Sequence, residues 1–137
     1  MLARYAKFYI DRLYDTKDIS ALHGLIGVIS RQRRLPEQFS VFLRLWDWCC
    51  STRSGICQYY ECLSADDPAE FESFAGELER FGLRELAERY RFGASTWREP
   101  NKCGELDRWI DDHWSELKAA TFQLIADKRD CLYDDQT

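Results

Sequence analysis

The sequence lacks the long apolar run that a membrane-spanning helix requires. Such a helix needs about 20 consecutive apolar residues, and charged side chains, which make up 31% of the 137 residues, interrupt every stretch of that length. The N-terminus also lacks the apolar centre of a signal peptide, because Arg4, Lys7 and Asp11 fall within it. These two absences predict a cytoplasmic protein without a membrane partner.

The sequence also lacks the motifs of the common nucleotide-binding enzymes, hydrolases and zinc proteins. It contains no phosphate-binding loop, no Rossmann glycine pattern and no Gly-x-Ser-x-Gly turn. None of the six cysteines belongs to a Cys-x-x-Cys pair, and His23 and His113 stand apart from any cysteine pair. We therefore expect no metal site, no cofactor and no catalytic activity, and most cysteines are expected to be small buried hydrophobes.

Two enzymatic alternatives stay open. The first is a cysteine nucleophile, Cys57 or Cys103, with one of the two histidines as its base, although no glycine turn or basic neighbour presents either thiol. The second is a pair of adjacent carboxylates, with Asp112 as the candidate residue. The Glu-x-x-His spacing of a carboxylate-bridged di-metal bundle is absent.

Helical periodicity, by contrast, runs through nearly the whole chain. Apolar residues recur three and four positions apart, as on one face of a helix. The Asp67-Pro68 pair is typical of a first helical turn, and Gly55 and Gly82 are typical of helix ends. The stretch from Gly93 to Gly104 is expected to be a loop. The sequence predicts an all-α, single-domain compact helical bundle of about six to eight helices over residues 1–137.

Two finer predictions concern the first two helices. The apolar face of the first helix is expected to carry four residues at helical spacing, Leu2, Ala6, Tyr9 and Leu13. Ser20 is expected to be the N-cap of the second helix.

Aromatic residues are concentrated around the end of the third predicted helix. Trp46 lies on its apolar stripe, whereas Trp48 lies about 200° around the helix from that position. One indole is therefore expected either to face outward, where Trp48 would form a homodimer contact, or to cover the following segment. Tyr59 and Tyr60 in that segment either continue the core or line a groove for a partner, since Trp and Tyr are frequent in interface hot spots.

Charge is divided unevenly along the chain, whose net charge is −5. Residues 1–60 carry nine Lys/Arg and five Asp/Glu, a net charge of +4, whereas residues 61–137 carry ten and nineteen, a net charge of −9. The acidic part cannot neutralise phosphates, so direct nucleic-acid binding is not expected. Its carboxylates either are ordinary solvated helix faces or attract a basic protein. The candidate partner-binding residues are Asp66, Asp67, Glu70, Asp111, Asp112 and Glu116.

The segment 53–60, Arg-Ser-Gly-Ile-Cys-Gln-Tyr-Tyr, resembles the signature of the bacterial DNA-mimic-protein domain family. That signature is roughly Asn-Gly-Gly-aromatic-x-Gln-aromatic-aromatic, after a helix that contains Trp. Residues 78–87 resemble the family's Leu-x-x-Ile-Gly-x-x-x-x-Ala helix junction, and residues 106–132 its acidic C-terminal helices. The likeness spans residues 38–133, with Arg53 and Ser54 in place of the signature's Asn and first Gly. The matching positions are Trp46, Gly55, Gln58, Tyr59, Tyr60 and Gly82.

The resemblance implies a helical fold, in a family most of whose members have no assigned biochemical activity. Together with the uneven charge, it favours a domain that acts by binding a protein. The leading hypothesis is that the acidic C-terminal part engages a basic partner, such as a DNA-binding regulator. A second hypothesis is an immunity-type protein that neutralises a toxin by covering its active site. The third is an enzyme that uses Cys57 or a carboxylate pair.

Overall fold

The structure is a computed structural model, and it describes residues 4–51, 55–64 and 69–133. Eight α-helices and a short 3-10 helix (Arg129–Leu132) form the regular structure of these residues, which contain no strand. The predicted all-α fold is confirmed. The α-helices are α1 (Lys7–Asp15), α2 (Ile19–Ser30), α3 (Glu37–Cys50), α4 (Ile56–Ser64), α5 (Ala69–Arg80), α6 (Arg84–Thr96), α7 (Pro100–Asp112) and α8 (Trp114–Gln123).

The chain folds as two compact units. The first unit comprises the described residues up to Trp46 and from Lys118 onward, and the second extends from Asp47 to Leu117. The boundaries between them therefore lie inside α3 and inside α8. No helix in the described part of the chain is long and apolar enough to cross a membrane.

In the first unit, α1 packs on α2 through Ile10, Leu13 and Tyr14. Their spacing of three and four residues sets the buried face of this short helix. The prediction that Tyr9 lies on that face is wrong, because its side chain is 38% exposed and that of Phe8 is 75% exposed. Leu13 is buried as predicted, Ala6 is exposed, and Leu2 lies outside the described residues. The buried face therefore includes Ile10 and Tyr14 in place of Ala6 and Tyr9.

The N-cap of α2 is Asp18 and not Ser20, so that prediction is also wrong. A carboxylate oxygen of Asp18 accepts a hydrogen bond of 3.1 Å from the backbone N–H of Ala21, the third residue of the helix. The helix thus begins at Ile19, one residue before the predicted cap, because an aspartate satisfies the free N–H groups of the first turn.

The C-terminal 3-10 helix of the first unit is held on α1 by a small polar network. The Nη1 atom of Arg129 lies 3.4 Å from Oδ1 of Asp11 and 3.3 Å from Oδ1 of Asp15. The guanidinium group also lies 4.9 Å from the centre of the Tyr14 ring. The Tyr133 hydroxyl donates to Asp11, and this hydrogen bond holds the pKa of the Asp11 carboxyl below its usual value.

In the second unit, α5 ends as the sequence predicted. Gly82 has a φ of +80°, its N–H donates to Glu79 O, and the N–H of Leu83 donates to Leu78 O at 2.9 Å. This hydrogen-bond pattern closes a helix at a residue that must be left-handed, which glycine adopts without steric cost.

The predicted loop from Gly93 to Gly104 is mostly helical, so that prediction is wrong. Helix α6 continues to Thr96, and α7 begins at Pro100, leaving only three residues between the two helices. Proline is well tolerated at the first position of a helix because its missing N–H would have no helical partner there. Gly93 therefore lies inside α6 and has a packing role, described below.

Candidate functional site

A hydrogen-bonded aromatic cluster occupies the core of the second unit. The indole N–H of Trp48 donates to the Tyr60 hydroxyl at 2.9 Å, and that hydroxyl donates to the backbone carbonyl of Tyr90 at 2.8 Å. The hydroxyls of Tyr59 and Tyr90 lie 2.9 Å apart. Trp48, Tyr60 and Tyr90 have no exposed side-chain surface, and burial raises the pKa of Tyr60 well above its usual value. The cluster therefore ties α3, α4 and α6 together.

Both tryptophans of α3 are buried, Trp46 being 7% exposed and Trp48 0% exposed. The alternative in which one indole faces outward is therefore wrong, and Trp48 is not a homodimer contact. Trp48 instead covers α4 through its hydrogen bond to Tyr60. A buried indole that finds a hydrogen-bond partner contributes its full apolar area to the core.

The residues that resemble the DNA-mimic signature occupy different environments in and before α4. Gly55 immediately precedes the helix with a φ of +93°. Tyr60 is buried and Tyr59 is half-buried, whereas the side chain of Gln58 is exposed. The aromatic part of this motif thus serves the packing of the second unit.

The first turn of α4 is anchored by Asp107, a residue that the sequence did not single out. Oδ1 of this α7 side chain accepts a hydrogen bond of 2.8 Å from the backbone N–H of Ile56. Burial raises the pKa of the Asp107 carboxyl above its usual value, and the hydrogen bond from Ile56 opposes that shift. A raised pKa means that the folded state binds a proton more tightly than the unfolded chain.

This arrangement predicts that Asp107→Asn leaves the protein at least as stable as the wild type at pH 7. The amide oxygen still accepts from Ile56, and the cost of burying a charge disappears. Asp107→Ala is expected to lose about 1–2 kcal/mol, because the Ile56 N–H loses its acceptor. Urea denaturation at pH 7 and at pH 4 measures both effects. Wild type should gain stability relative to Asp107→Asn as the pH falls toward and below the raised pKa, and a gain in the opposite direction would contradict the assignment.

The structure describes four of the six predicted partner-binding residues, all with exposed side chains. Asp66 and Asp67 lie outside the described residues. Glu70 is in the first turn of α5 and Glu116 is in the first turn of α8. The other two, Asp111 and Asp112, are the last two residues of α7.

Two carboxylates at the C-terminal end of α7 destabilise that helix. The C-terminus of a helix carries a partial negative charge, so acidic residues there repel it, whereas Glu70 and Glu116 favour the positive ends of their helices. No basic residue lies in the last turn of α7, and Asp111 and Asp112 form no ion pair with any described residue. The stability of α7 therefore does not account for these two aspartates.

One residue, His113, separates α7 from α8. His113 caps α7, and its Nδ1 lies 2.8 Å from the carbonyl oxygen of Trp109. The His113 imidazole stacks on the Trp109 indole with the ring centres 4.4 Å apart. The guanidinium group of Arg89 lies 4.8 Å from the centre of the same indole. This turn separates α7 from α8 and places Asp111, Asp112 and Glu116 on either side of one helix boundary.

The second unit also contains a groove of about 460 Å³ along α5 and α6, which the sequence did not indicate. The Arg91 guanidinium group in its wall donates to both carboxylate oxygens of Glu72 at 2.8–3.0 Å and forms an ion pair with Glu79. At the end of α6, the Arg98 guanidinium group lies 4.4 Å from the centre of the Trp97 ring. Because its charge is matched by two glutamates, Arg91 serves to join α5 to α6.

The cysteines that the sequence offered as nucleophiles have neighbours other than histidine in the described contacts. The Cys103 thiol donates to the carbonyl oxygen of Trp97 at 3.0 Å. Burial raises its pKa to about 11, with the Cys57 thiol as an adjacent group that adds to the shift. Raising the pKa keeps the Cys103 thiol protonated at neutral pH, which is the reverse of nucleophile activation.

No group of three or more His, Cys, Asp or Glu side chains within residues 4–51, 55–64 and 69–133 is arranged to hold a metal ion. Comparison of the chain with protein-family models, with curated proteins and with solved structures finds no match. The functional argument therefore depends on the chemistry of the chain's own residues.

Proposed function

We propose that this protein binds a basic protein partner and that the carboxylates flanking the turn between α7 and α8 form the central contact. The main support for this proposal is the position of Asp111 and Asp112 at the end of α7. Their negative charges are repelled there by the negative end of the α7 dipole, and they have no ion-pair partner in the described part of the chain. A Lys- or Arg-rich surface would supply the missing positive charge. Glu116 adjoins this contact, and Glu70, Asp66 and Asp67 are further contact residues.

The charge distribution supports a partner whose approach is guided by electrostatics. Residues 61–137 carry nineteen Asp/Glu and ten Lys/Arg, a net charge of −9. Such an excess of negative charge accelerates the encounter with a basic protein, and the acceleration decreases with salt because the Debye length falls to about 10 Å at 0.1 M. A DNA-binding regulator has such a basic surface, since it must neutralise phosphates. The resemblance to the DNA-mimic family is a second reason to propose this kind of partner.

The partner can be found by retaining the tagged protein on a column with lysate of its source cell and eluting with increasing salt. Mass spectrometry of the fractions distinguishes a DNA-binding regulator from a basic nuclease toxin, which would instead favour the immunity-type function. Elution of no basic protein between low and moderate salt would contradict the proposal.

With the purified partner, the double variant Asp111→Asn/Asp112→Asn is expected to bind about tenfold more weakly at low salt. The same variant should be more stable by about 0.5 kcal/mol per residue, because two unfavourable charges leave the end of α7. Isothermal titration calorimetry and urea denaturation measure the two effects.

The matched control is Glu85→Gln/Glu88→Gln, which removes the same charge from exposed positions on α6. It should bind within about twofold of the wild type, since only the net charge has changed. If both double variants bound equally well, or if salt left the affinity unchanged, the assigned contact would be wrong.

A further inference from the structure

Two cysteines belong to the packed helices α4 and α7, and each lies within one helical turn of the hydrogen bond that joins these helices. Cys57 is the second residue of α4, and Cys103 is the fourth residue of α7. The backbone N–H of Ile56, the residue before Cys57, donates a hydrogen bond of 2.8 Å to Oδ1 of Asp107, which lies one helical turn after Cys103. Residues four apart share a helix face, so Cys103 and Asp107 face α4 together. The Cys57 thiol is close enough to the Cys103 thiol to contribute to the rise in its pKa.

The two thiols differ in their accessibility. Cys57 is half-buried, whereas Cys103 is 6% exposed and donates to the Trp97 carbonyl oxygen. Cys57 can therefore meet a small molecule from solution, while Cys103 can react with a group that is already attached to Cys57. This is the arrangement of an attacking thiol and a resolving thiol.

We infer that Cys57 and Cys103 are a redox modification site, at which a low-molecular-weight disulfide such as oxidised glutathione converts the two thiols into one intramolecular disulfide. This inference does not depend on the proposed partner binding.

The reaction takes place in two exchange steps. The Cys57 thiolate attacks one sulfur of oxidised glutathione, which forms the mixed disulfide, releases one glutathione thiolate and leaves the Cys57 proton with the solvent. The Cys103 thiol then gives its proton to the solvent, and its thiolate attacks the Cys57 sulfur and releases the second glutathione thiolate, so that both released thiolates take up the two protons. Because the raised pKa of Cys103 keeps its thiolate fraction small, this second exchange is the slow step. The two cysteines are together oxidised by two electrons, and one oxidised glutathione becomes two reduced glutathione molecules.

The product would join α4 covalently to α7. Because Cys57 lies in the helix that carries Tyr59 and Tyr60, the bond would hold that helix against α7. The four other cysteines lie elsewhere: Cys49 and Cys50 are consecutive in α3, Cys62 is exposed near the end of α4, and Cys131 belongs to the first unit.

The test uses the full-length chain with Cys62→Ser, because trypsin leaves Cys57 and Cys62 on one peptide, residues 54–80. The reduced protein is treated with oxidised glutathione, free thiols are blocked with iodoacetamide, and the digest is analysed by mass spectrometry. We expect peptide 54–80 to be joined to peptide 103–108, which contains Cys103, in most molecules. Dithiothreitol should separate the two peptides again.

Two variants separate this site from general thiol reactivity. Cys62→Ser/Cys103→Ser should accumulate glutathione on Cys57, because the resolving thiol is gone. Cys62→Ser/Cys57→Ser should leave Cys103 unmodified and free to be alkylated after unfolding. In concentrated urea, Cys57 of the Cys62→Ser protein should no longer pair selectively with Cys103, since only the folded chain holds these two thiols together.

The inference is overturned if folded Cys62→Ser protein keeps glutathione on Cys57 while Cys103 stays free. It is equally overturned if Cys57 becomes joined mainly to Cys49, Cys50 or Cys131, or if neither thiol reacts. Thermal unfolding of the reduced variants, expected within a few degrees of the wild type, establishes that each result comes from folded protein.

Discussion

Gly93→Ala is expected to destabilise the protein by about 3 kcal/mol or more. Gly93 lies inside α6 directly against the Tyr60 ring, and a methyl group built at this position would overlap the ring and its hydroxyl. Tyr60 cannot move aside, because it has no exposed surface and its hydroxyl bonds both Trp48 and the Tyr90 backbone. Overpacking a core costs typically 1–3 kcal/mol, and displacing the hydroxyl adds the loss of two buried hydrogen bonds.

The measurement is the free energy of unfolding from urea denaturation of Gly93→Ala and of Gly76→Ala. Gly76 lies inside α5 of the same unit, and a methyl group there meets no atom within 4 Å. Since alanine is favoured over glycine inside a helix by about 1 kcal/mol, the Gly76 variant should be more stable than the wild type. Stabilisation by both substitutions would show that Tyr60 does not pack on Gly93 as described.

Tyr60→Phe is expected to cost about 2–3 kcal/mol, the second large effect. The substitution removes one oxygen atom and leaves the ring in place, so little apolar area is lost. The Trp48 indole N–H, however, is left buried without an acceptor, and the hydrogen bond to the Tyr90 carbonyl disappears. An unsatisfied buried donor costs about 1–3 kcal/mol because it was desolvated without compensation.

Tyr9→Phe is the matched control, since it removes the same atom from a side chain that is 38% exposed. Its effect on the free energy of unfolding should stay within about 0.5 kcal/mol. Tryptophan fluorescence of the folded proteins gives a second readout, because the environment of Trp48 changes only in the Tyr60 variant. Equal unfolding free energies for the two variants would exclude the proposed hydrogen bond.

These two predictions concern the fold, and they separate it from the proposed binding. The aromatic residues of the signature-like segment pack in the second unit, so substitutions of Tyr60 test stability. Asp111 and Asp112 are exposed at the end of α7, so substitutions there are expected to weaken binding while stabilising the chain. A loss of binding that accompanies a gain in stability cannot be attributed to unfolding.

The sequence predicts most of the residues of the candidate site, but it does not predict that they lie close together. Charge counting selects Asp111, Asp112 and Glu116, and the structure places all three around one helix boundary. Sequence reasoning did not find Asp107, Arg89 or the Arg91 ion pairs, because their partners are on other helices. The only available signal was the spacing of Cys103 and Asp107, which is visible once α7 is known to include both.

The sequence by itself determined the helical class and several helix ends. These depend on contiguous residues: apolar periodicity shows in a single window, and Gly82 closes α5 because its own backbone must be left-handed. Only the packing of the helices shows which face of α1 is buried, that Gly93 continues α6, that Trp48 is buried, and that Ile56 of α4 bonds Asp107 of α7. Each of these depends on a side chain from another helix, and contacts between distant residues follow from packing and not from local propensity.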